Sequence, residues 1–524
     1  MLQYVKELVD RLDNKKLEQI KEVATSKEGV IGITASIVLA TAYSYHKHTT
    51  RPVSNGSPLV PYTFPLVGST MEYRKSPEAF CRKWHEKLGP VFRAHLFGKE
   101  VTVIGGHEVK EVFLDKHFDF FAALDKTFNL RLLTGGGRPE DFKADPIRKI
   151  VTKYLTPNLD FYTDRVVKRF QEGVDDNLKG ADSKEFFSVY PLVQHMVAKA
   201  SASIFVGENL ANNALLIDSF KNMVIDVGSE LIPIPWIEPF PTLVYIRMWY
   251  FGKNAPSTRR HKQQLRAAIG PELEDRIHQM NTNPEWKRPN DILQDIIEKE
   301  EHPSDIPYID FIITMITAII FASIHTTSEA ATTVLYRILD NPEVIEALRE
   351  EQDQVFRKEG IDENAGAEVF TRSIIKQFVK LDSVCRESSR LKNEFIKLPH
   401  AYEGTTPLKL SNGAIIKPGE EVLIDIWKNH RDPEIQNDLK DVEQFKPFRF
   451  VSSEKQATKV GEDFLVFGMG RHACPGRWFA MQEVETIISM IIREYDIKAT
   501  TPVTYPKSER GMPGGKFRLE KRKL

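Results

Sequence analysis

Ten residues, Phe467-Gly468-Met469-Gly470-Arg471-His472-Ala473-Cys474-Pro475-Gly476, concentrate the chemistry open to this chain. They put a cysteine in a glycine-rich loop just before a helical pattern, whose apolar residues recur at Val484, Ile487, Ile488, Ile491 and Ile492. Cys474 therefore belongs near a helix N-terminus. Orphan N–H groups and the positive end of the helix dipole favour a thiolate there. The glycines let the backbone pass close to something flat and large. Arg471 and His472 bring positive charge or hydrogen-bond donors beside the sulfur. The alternative for a lone cysteine is a buried structural thiol in a turn.

A second chemical stretch is Ala322-Ser323-Ile324-His325-Thr326-Thr327. It interrupts a long helical pattern over Ile306 to Leu339 that is apolar nearly all round from Ile309 to Ile324, which predicts a helix running through the middle of a domain. Polar groups buried in such a helix need partners. A hydroxyl there can bond back to the preceding turn and bend the helix, and an imidazole can titrate near neutral pH.

The elements that must position these groups are mostly helical. Ser76 to Leu88 and Ile374 to Leu391 are amphipathic, and on the second Glu387 and Arg390 share a face. Asn341-Pro342-Glu343 open a further helix, with Asn as cap and Pro in the first turn. Val91 to Phe97 and Val101 to Ile104 alternate as a hairpin about Gly98-Lys99, and short strands are expected over Leu408 to Leu423 around Asn412-Gly413 and Pro418-Gly419. The expected fold is mainly α with a smaller β region.

With 524 residues, 41% hydrophobic and 28% charged, the chain is globular and long enough for a large core. With a net charge of −1, nothing in the sequence suggests bulk nucleic-acid binding. Cys81, Cys385 and Cys474 form no CxxC pair, which argues against a zinc ribbon or iron–sulfur cluster, and so few cysteines fit a reducing compartment. An N-terminal segment, residues 1–51, mixes apolar and charged residues up to Ala24. It then carries an uncharged apolar run, Gly29 to Tyr45, at the short limit of a membrane span, and Lys47 and Arg51 follow. That pattern predicts a single-pass anchor with residues 52–524 on the cytosolic side, a buried helix of a soluble protein being the alternative. Pro52, Pro58, Pro61 and Pro65 form a stiff linker. Phe118, Phe120, Phe121 and Phe128 crowd one short stretch, which reads as core, and aromatics and prolines crowd Leu231 to Phe251, where an exposed apolar loop and core packing are the alternatives.

The cysteine loop resembles the haem-binding signature of the cytochrome P-450 monooxygenases. Phe467, Gly470, His472, Cys474 and Gly476 fill all five of its places in order, with His472 where Arg is commoner. Three further features match: Glu387-x-x-Arg390, Pro447-Phe448-Arg449-Phe450, and Ala322 with Thr326-Thr327 in the oxygen-activating helix. Ser323 and His325 depart from that helix's usual glycine and acid, and His-Thr-Thr is similar to fungal members that modify terpenoids and steroids.

The resemblance implies a cytochrome P-450 fold over residues 52–524 and haem b with Cys474 as axial thiolate. It places Phe467, Gly470, Arg471, His472 and Gly476 around the cofactor. Arg148 or Lys153 stands in for the usual propionate-binding pair, a surface role being the alternative, and His400 falls where a propionate-binding arginine is common. Thr326 would order water and deliver protons to the oxygen being activated, with His325 as candidate proton relay. Glu387, Arg390 and Arg449 would form a buried network fixing the loop. The implied reaction is monooxygenation of a lipophilic small molecule, with a steroid or terpenoid leading. Electrons would come from NADPH through a reductase, with cytochrome b5 as a second donor, at the endoplasmic reticulum membrane. Arg471, Arg477 and Lys446 suggest a basic face for that reductase, ordinary exposed charge being the alternative. Two other functions remain open: a reductase-independent haem-thiolate isomerase or dehydratase, against which Thr326 counts, and a non-catalytic lipophile or haem carrier.

Overall fold

The computed structural model describes residues 57–62, 67–128, 148–230, 255–302, 306–507 and 511–523, with single positions between 234 and 250. The expected anchor (29–45), the Gly135-Gly136-Gly137 run and most of the aromatic stretch 231–251 lie outside them. In chain order the described strands are β1 Val91–Leu96, β2 Lys99–Ile104, β3 Phe118–Asp119, β4 Ser183–Phe186, β5 Ile396–Tyr402, β6 Leu408–Lys409, β7 Ile415–Ile416, β8 Glu421–Asp425, β9 Tyr495–Ala499 and β10 Phe517–Lys521. Contacts divide the chain into two compact units.

One unit comprises Met1–Asn129, Leu231–Asn254 and Phe395–Asp425. Its sheet runs β1-β2-β8-β5-β3, with β2 and β8 parallel and the other pairs antiparallel. The hairpin turn is tighter than expected. Phe97 and Gly98 both take positive φ, 52° and 80°, and Leu96 pairs with Lys99. This two-residue turn matches the natural twist of the strands. Helix α1, Pro77–Leu88, starts on the side chain of Ser76, which accepts the N–H of Ala79. Its His85 bonds Asp425 at the end of β8 (2.9 Å) and the Gly89 carbonyl (3.1 Å). The phenylalanine-rich stretch is regular structure rather than a loop: Phe118 is buried in β3, and Phe120–Phe128 form helix α2.

The other unit comprises Leu130–Glu230, Ala255–Glu394 and Ile426–Leu524. Helices α3 (Leu159–Leu178) and α4 (Tyr190–Phe205) lie in close contact, because a Cβ on Gly173 would meet the Met196 Cα at 3.0 Å. Helix α4 packs on α5, Tyr308–Asp340, the expected long helix. Among the described residues α5 alone is long and apolar enough to cross a membrane, and half of its apolar window is buried inside the structure. A three-stranded sheet, β4-β10-β9, completes this unit.

Two helix boundaries differ from expectation. Asn341 does not cap the next helix, α6 (Glu343–Glu359); its amide closes the preceding one on the Arg337 carbonyl at 2.8 Å. The amphipathic pattern over Ile374 to Leu391 is two helices, Arg372–Ile375 and α7, Val379–Arg390. The break is stabilised from α6. The buried Glu351 carboxylate accepts the N–H groups of Lys380 (2.5 Å) and Leu381 (3.1 Å), the orphan donors of a new helix N-terminus.

Burial outweighs those two bonds and pushes Glu351 up to about 7. The folded state therefore holds this proton where the unfolded chain has released it, and stability falls as pH rises from about 4.5 to about 7. The shift corresponds to roughly 3 kcal/mol. Glu351→Gln is expected to remove this slope, read by chemical unfolding at pH 5 and pH 8. An unchanged slope would mean that Glu351 ionises freely in the fold.

Candidate active site

The cysteine loop is a closed turn. The Cys474 N–H donates to the Phe467 carbonyl at 2.8 Å, and Gly468 and Gly470 take φ of 65° and 64°, a region side chains disfavour. Helix α8, Arg477–Glu494, starts three residues after the cysteine. The sulfur receives the N–H groups of Gly476 and Arg477, and the Arg477 guanidinium donates to the Cys474 carbonyl at 2.9 Å. Burial pushes the thiol up, while those donors and the Arg477 charge pull it down. Cys81 and Cys385 are fully buried, whereas Cys474 is only half-buried.

These residues fit haem. The donors around the sulfur suit a thiolate that has exchanged its proton for a metal. Among the described residues no three His, Cys, Asp or Glu side chains converge as a metal site. A metal that brings its other ligands with it, as porphyrin iron does, needs only the one sulfur from the protein. Gly476 demands no positive φ, and a Cβ on it would meet protein atoms only at 3.9 Å and beyond, the nearest being the Cys474 sulfur.

Helix α7 is the frame that holds the loop. Glu387 is fully buried and accepts from Arg390 at 2.8 and 2.9 Å, from Arg449 at 2.9 Å, and from the Lys446 N–H at 3.2 Å. Three further N–H groups of Arg449 donate to the carbonyls of Lys440, Asp441 and Gln444. Ser383 docks the turn carrying Arg449, donating to the Pro447 carbonyl and accepting from the Phe450 N–H. Arg386 bonds the carbonyls of Gln456 and Lys459 and lies 4.1 Å over the Phe464 ring.

The connection from this network to the cysteine runs through His430, which sequence reasoning missed. Arg390 donates to the His430 carbonyl at 2.6 Å, and the His430 ring bonds the Arg390 carbonyl through Nδ1 at 3.1 Å. Its Nε2 then accepts the Leu465 N–H at 2.8 Å, two residues before the carbonyl that holds Cys474. Burial and the nearby guanidinium groups of Arg431 and Arg390 push His430 down to about 3, so the ring stays neutral and Nε2 remains an acceptor.

Helix α5 packs along α8. Thr326 donates to the Ala322 carbonyl at 2.8 Å, and Ser323 to that of Ile319 at 2.7 Å. Ala322 and Thr326, one turn apart, form an exposed patch in the middle of a helix that is largely buried or half-buried. His325 is half-buried, with Nδ1 2.7 Å from the Tyr190 hydroxyl of α4. No sequence signal pointed to Tyr190, which lies 135 positions from its partner.

The other expected site residues are dispersed. Arg148 reaches the cysteine loop, donating to the Arg471 carbonyl at 2.5 Å, while the Arg471 side chain is exposed and His472 half-buried. His400 belongs to the other unit. It is fully buried, bonds the Leu398 carbonyl at 2.8 Å, and packs edge-on against Phe113 and at a tilt against Phe120. The expected basic face is reduced, because Lys446 pairs with Asp441 at 2.5 Å and Arg477 turns into its own loop.

Removing one partner of the Glu387 network strands a buried charge. Arg390→Ala is expected to cost about 3–5 kcal/mol in urea unfolding. A loss below about 1 kcal/mol would show that the network is not a determinant of stability.

A family model described as cytochrome P450 matches residues 58–522. Cytochrome P450 monooxygenase 151 of Postia placenta is 26% identical over 483 residues, covering 89% of this chain and 91% of its own. Cytochrome P450 monooxygenase paxP of Penicillium paxilli is 28% identical over 368 residues, 67% of this chain and 66% of its own. Among solved structures, the retinoic acid-bound cyanobacterial CYP120A1 aligns with a TM-score of 0.64 at 21% identity, over 89% of this chain and 99% of its own; that likeness shows the fold.

Proposed function

The chain belongs to the cytochrome P450 family and is a monooxygenase, and from that premise we propose that it hydroxylates a lipophilic small molecule, of steroid or terpenoid class, with electrons delivered from NADPH by a reductase. The observation that carries this reading is the half-buried Cys474 sulfur, given two backbone N–H groups by a loop that Glu387, Arg390 and Arg449 hold in place. Haem b bound there supplies activation of dioxygen toward an unactivated C–H bond, with electron donation from the thiolate favouring O–O cleavage.

The polypeptide has three tasks. Cys474 gives up its proton and is held as a ligand by the Gly476 and Arg477 N–H groups and the Arg477 charge. Phe467, Gly470, Arg471, His472 and Gly476 form the wall of the loop. Arg148 is the better supported of the two propionate partners, because it already bonds the loop backbone at Arg471; for His400 the support is its sequence position. Thr326 commits its proton to the Ala322 carbonyl, which leaves its oxygen lone pairs to accept from ordered water on the exposed face of α5. His325, one residue earlier, relays protons toward that water. We place residues 52–524 in the cytosol behind the 29–45 anchor in the endoplasmic reticulum membrane, with cytochrome b5 as an additional electron donor.

The test is the absorption spectrum of the reduced, carbon-monoxide-bound protein. The wild type is expected to show the strongly red-shifted Soret band of thiolate ligation, and Cys474→Ser to lose it. Absence of the band from folded wild-type protein would sink the proposal. Thr326→Ala is expected to keep the band while product formed per NADPH falls by on the order of tenfold or more. Unchanged product yield would remove Thr326 from proton delivery.

A further inference from the structure

We propose that Tyr190 and Gln194 are positioning residues that decide which ring nitrogen of His325 carries its proton. The reasoning is a chain of donors and acceptors with one fixed end. The Gln194 Nε2 lies 2.8 Å from the Lys221 carbonyl oxygen and 3.0 Å from the Tyr190 hydroxyl. A carbonyl only accepts, so the atom facing it must be the amide nitrogen, and the side-chain flip is settled. That nitrogen's second proton points at the Tyr190 oxygen, which therefore accepts. A phenol has a single proton. It is directed into His325 Nδ1, 2.7 Å away. In the neutral ring Nδ1 is then an acceptor, and the proton sits on Nε2.

The geometry makes this chain stiff. Tyr190 and Gln194 are both buried, and they are one turn apart on α4. The start of α4 is fastened to α5 a second time, because the Val189 N–H donates at 3.1 Å to the hydroxyl of Tyr336. Tyr336 lies three turns beyond His325 on the same helix, and donates in turn to the Gly515 carbonyl at 2.9 Å. Burial and the neighbouring charge of Glu329 push Tyr190 up to about 12, so the phenol keeps its proton at neutral pH. Should His325 become doubly protonated, the Tyr190 oxygen can accept from Nδ1–H only by turning its own proton away from the ring, so the chain favours the neutral ring with a bare Nδ1.

The consequence for turnover rests on the relay role proposed for His325: an imidazole locked with Nε2–H offers a donor at one nitrogen and an anchored acceptor at the other. The experiment is ring-nitrogen NMR of the full-length holoprotein labelled with ¹⁵N-histidine, the His325 signals assigned by their loss in His325→Ala. Wild type is expected to show protonated Nε2 and bare Nδ1. Tyr190→Phe is expected to give a mixture of both tautomers while keeping the carbon-monoxide spectrum and the thermal transition, and Gln194→Leu a smaller change in the same direction. A wild-type ring protonated on Nδ1, or tautomers unmoved by Tyr190→Phe, would overturn the proposal. A parallel readout is product formed per NADPH in Tyr190→Phe, His325→Ala and the double variant. Equal losses that do not add support positioning through His325. The expected tautomer shift with unchanged product yield would overturn the relay role alone and leave the positioning standing.

Discussion

A single buried carboxylate underlies the architecture around the cysteine. Glu387 is fully buried, and such a charge is tolerable only when its lone pairs are occupied. Two guanidinium groups and a backbone N–H occupy them. Each arginine then has N–H groups left over, and these hold backbone carbonyls: His430 on one side, Lys440, Asp441 and Gln444 on the other. The network is thus less a source of net stability than a way of fixing irregular chain to a helix. The meander before the cysteine has little regular structure of its own, and arginine side chains with Ser383 supply much of its geometry.

The helix that crosses this unit solves a different problem. Helix α5 carries hydroxyls where an apolar helix has no partners for them. Ser323, Thr326, Ser328 and Thr333 each turn back to a carbonyl four residues earlier. Those four hydroxyls are satisfied without calling on neighbouring elements. His325 and Tyr336 are different: His325 reaches across to Tyr190 of α4, and Tyr336 to Val189 and Gly515.

What was legible in the sequence follows from distance along the chain. The cysteine loop, the Glu387–Arg390 pair and the long apolar helix each announce themselves within a few residues, through unusual types at set offsets. The hairpin about Gly98 and the strands around Gly413 and Gly419 were equally local. Features joining distant segments were invisible. The pattern over Ile374 to Leu391 continues unbroken, yet Glu351, some thirty residues upstream, provides the cap that lets a new helix begin at Val379. His430 is unremarkable until Leu465 is brought to its ring. Asn341 illustrates a competing partner: the same side chain suits the next helix's N-terminus or the last carbonyls of α5, and the structure uses the second.

The neutrality of His430 has a consequence for acid titrations. Ordinary histidines gain charge between about pH 7 and 6, and an anchor built on one of them would let go of its loop in that range. With His430 held neutral to about pH 3, the Leu465 N–H keeps its acceptor well below that range. The His430 anchor of the chain that carries Cys474 is therefore insensitive to acid over the range in which an ordinary histidine would let go.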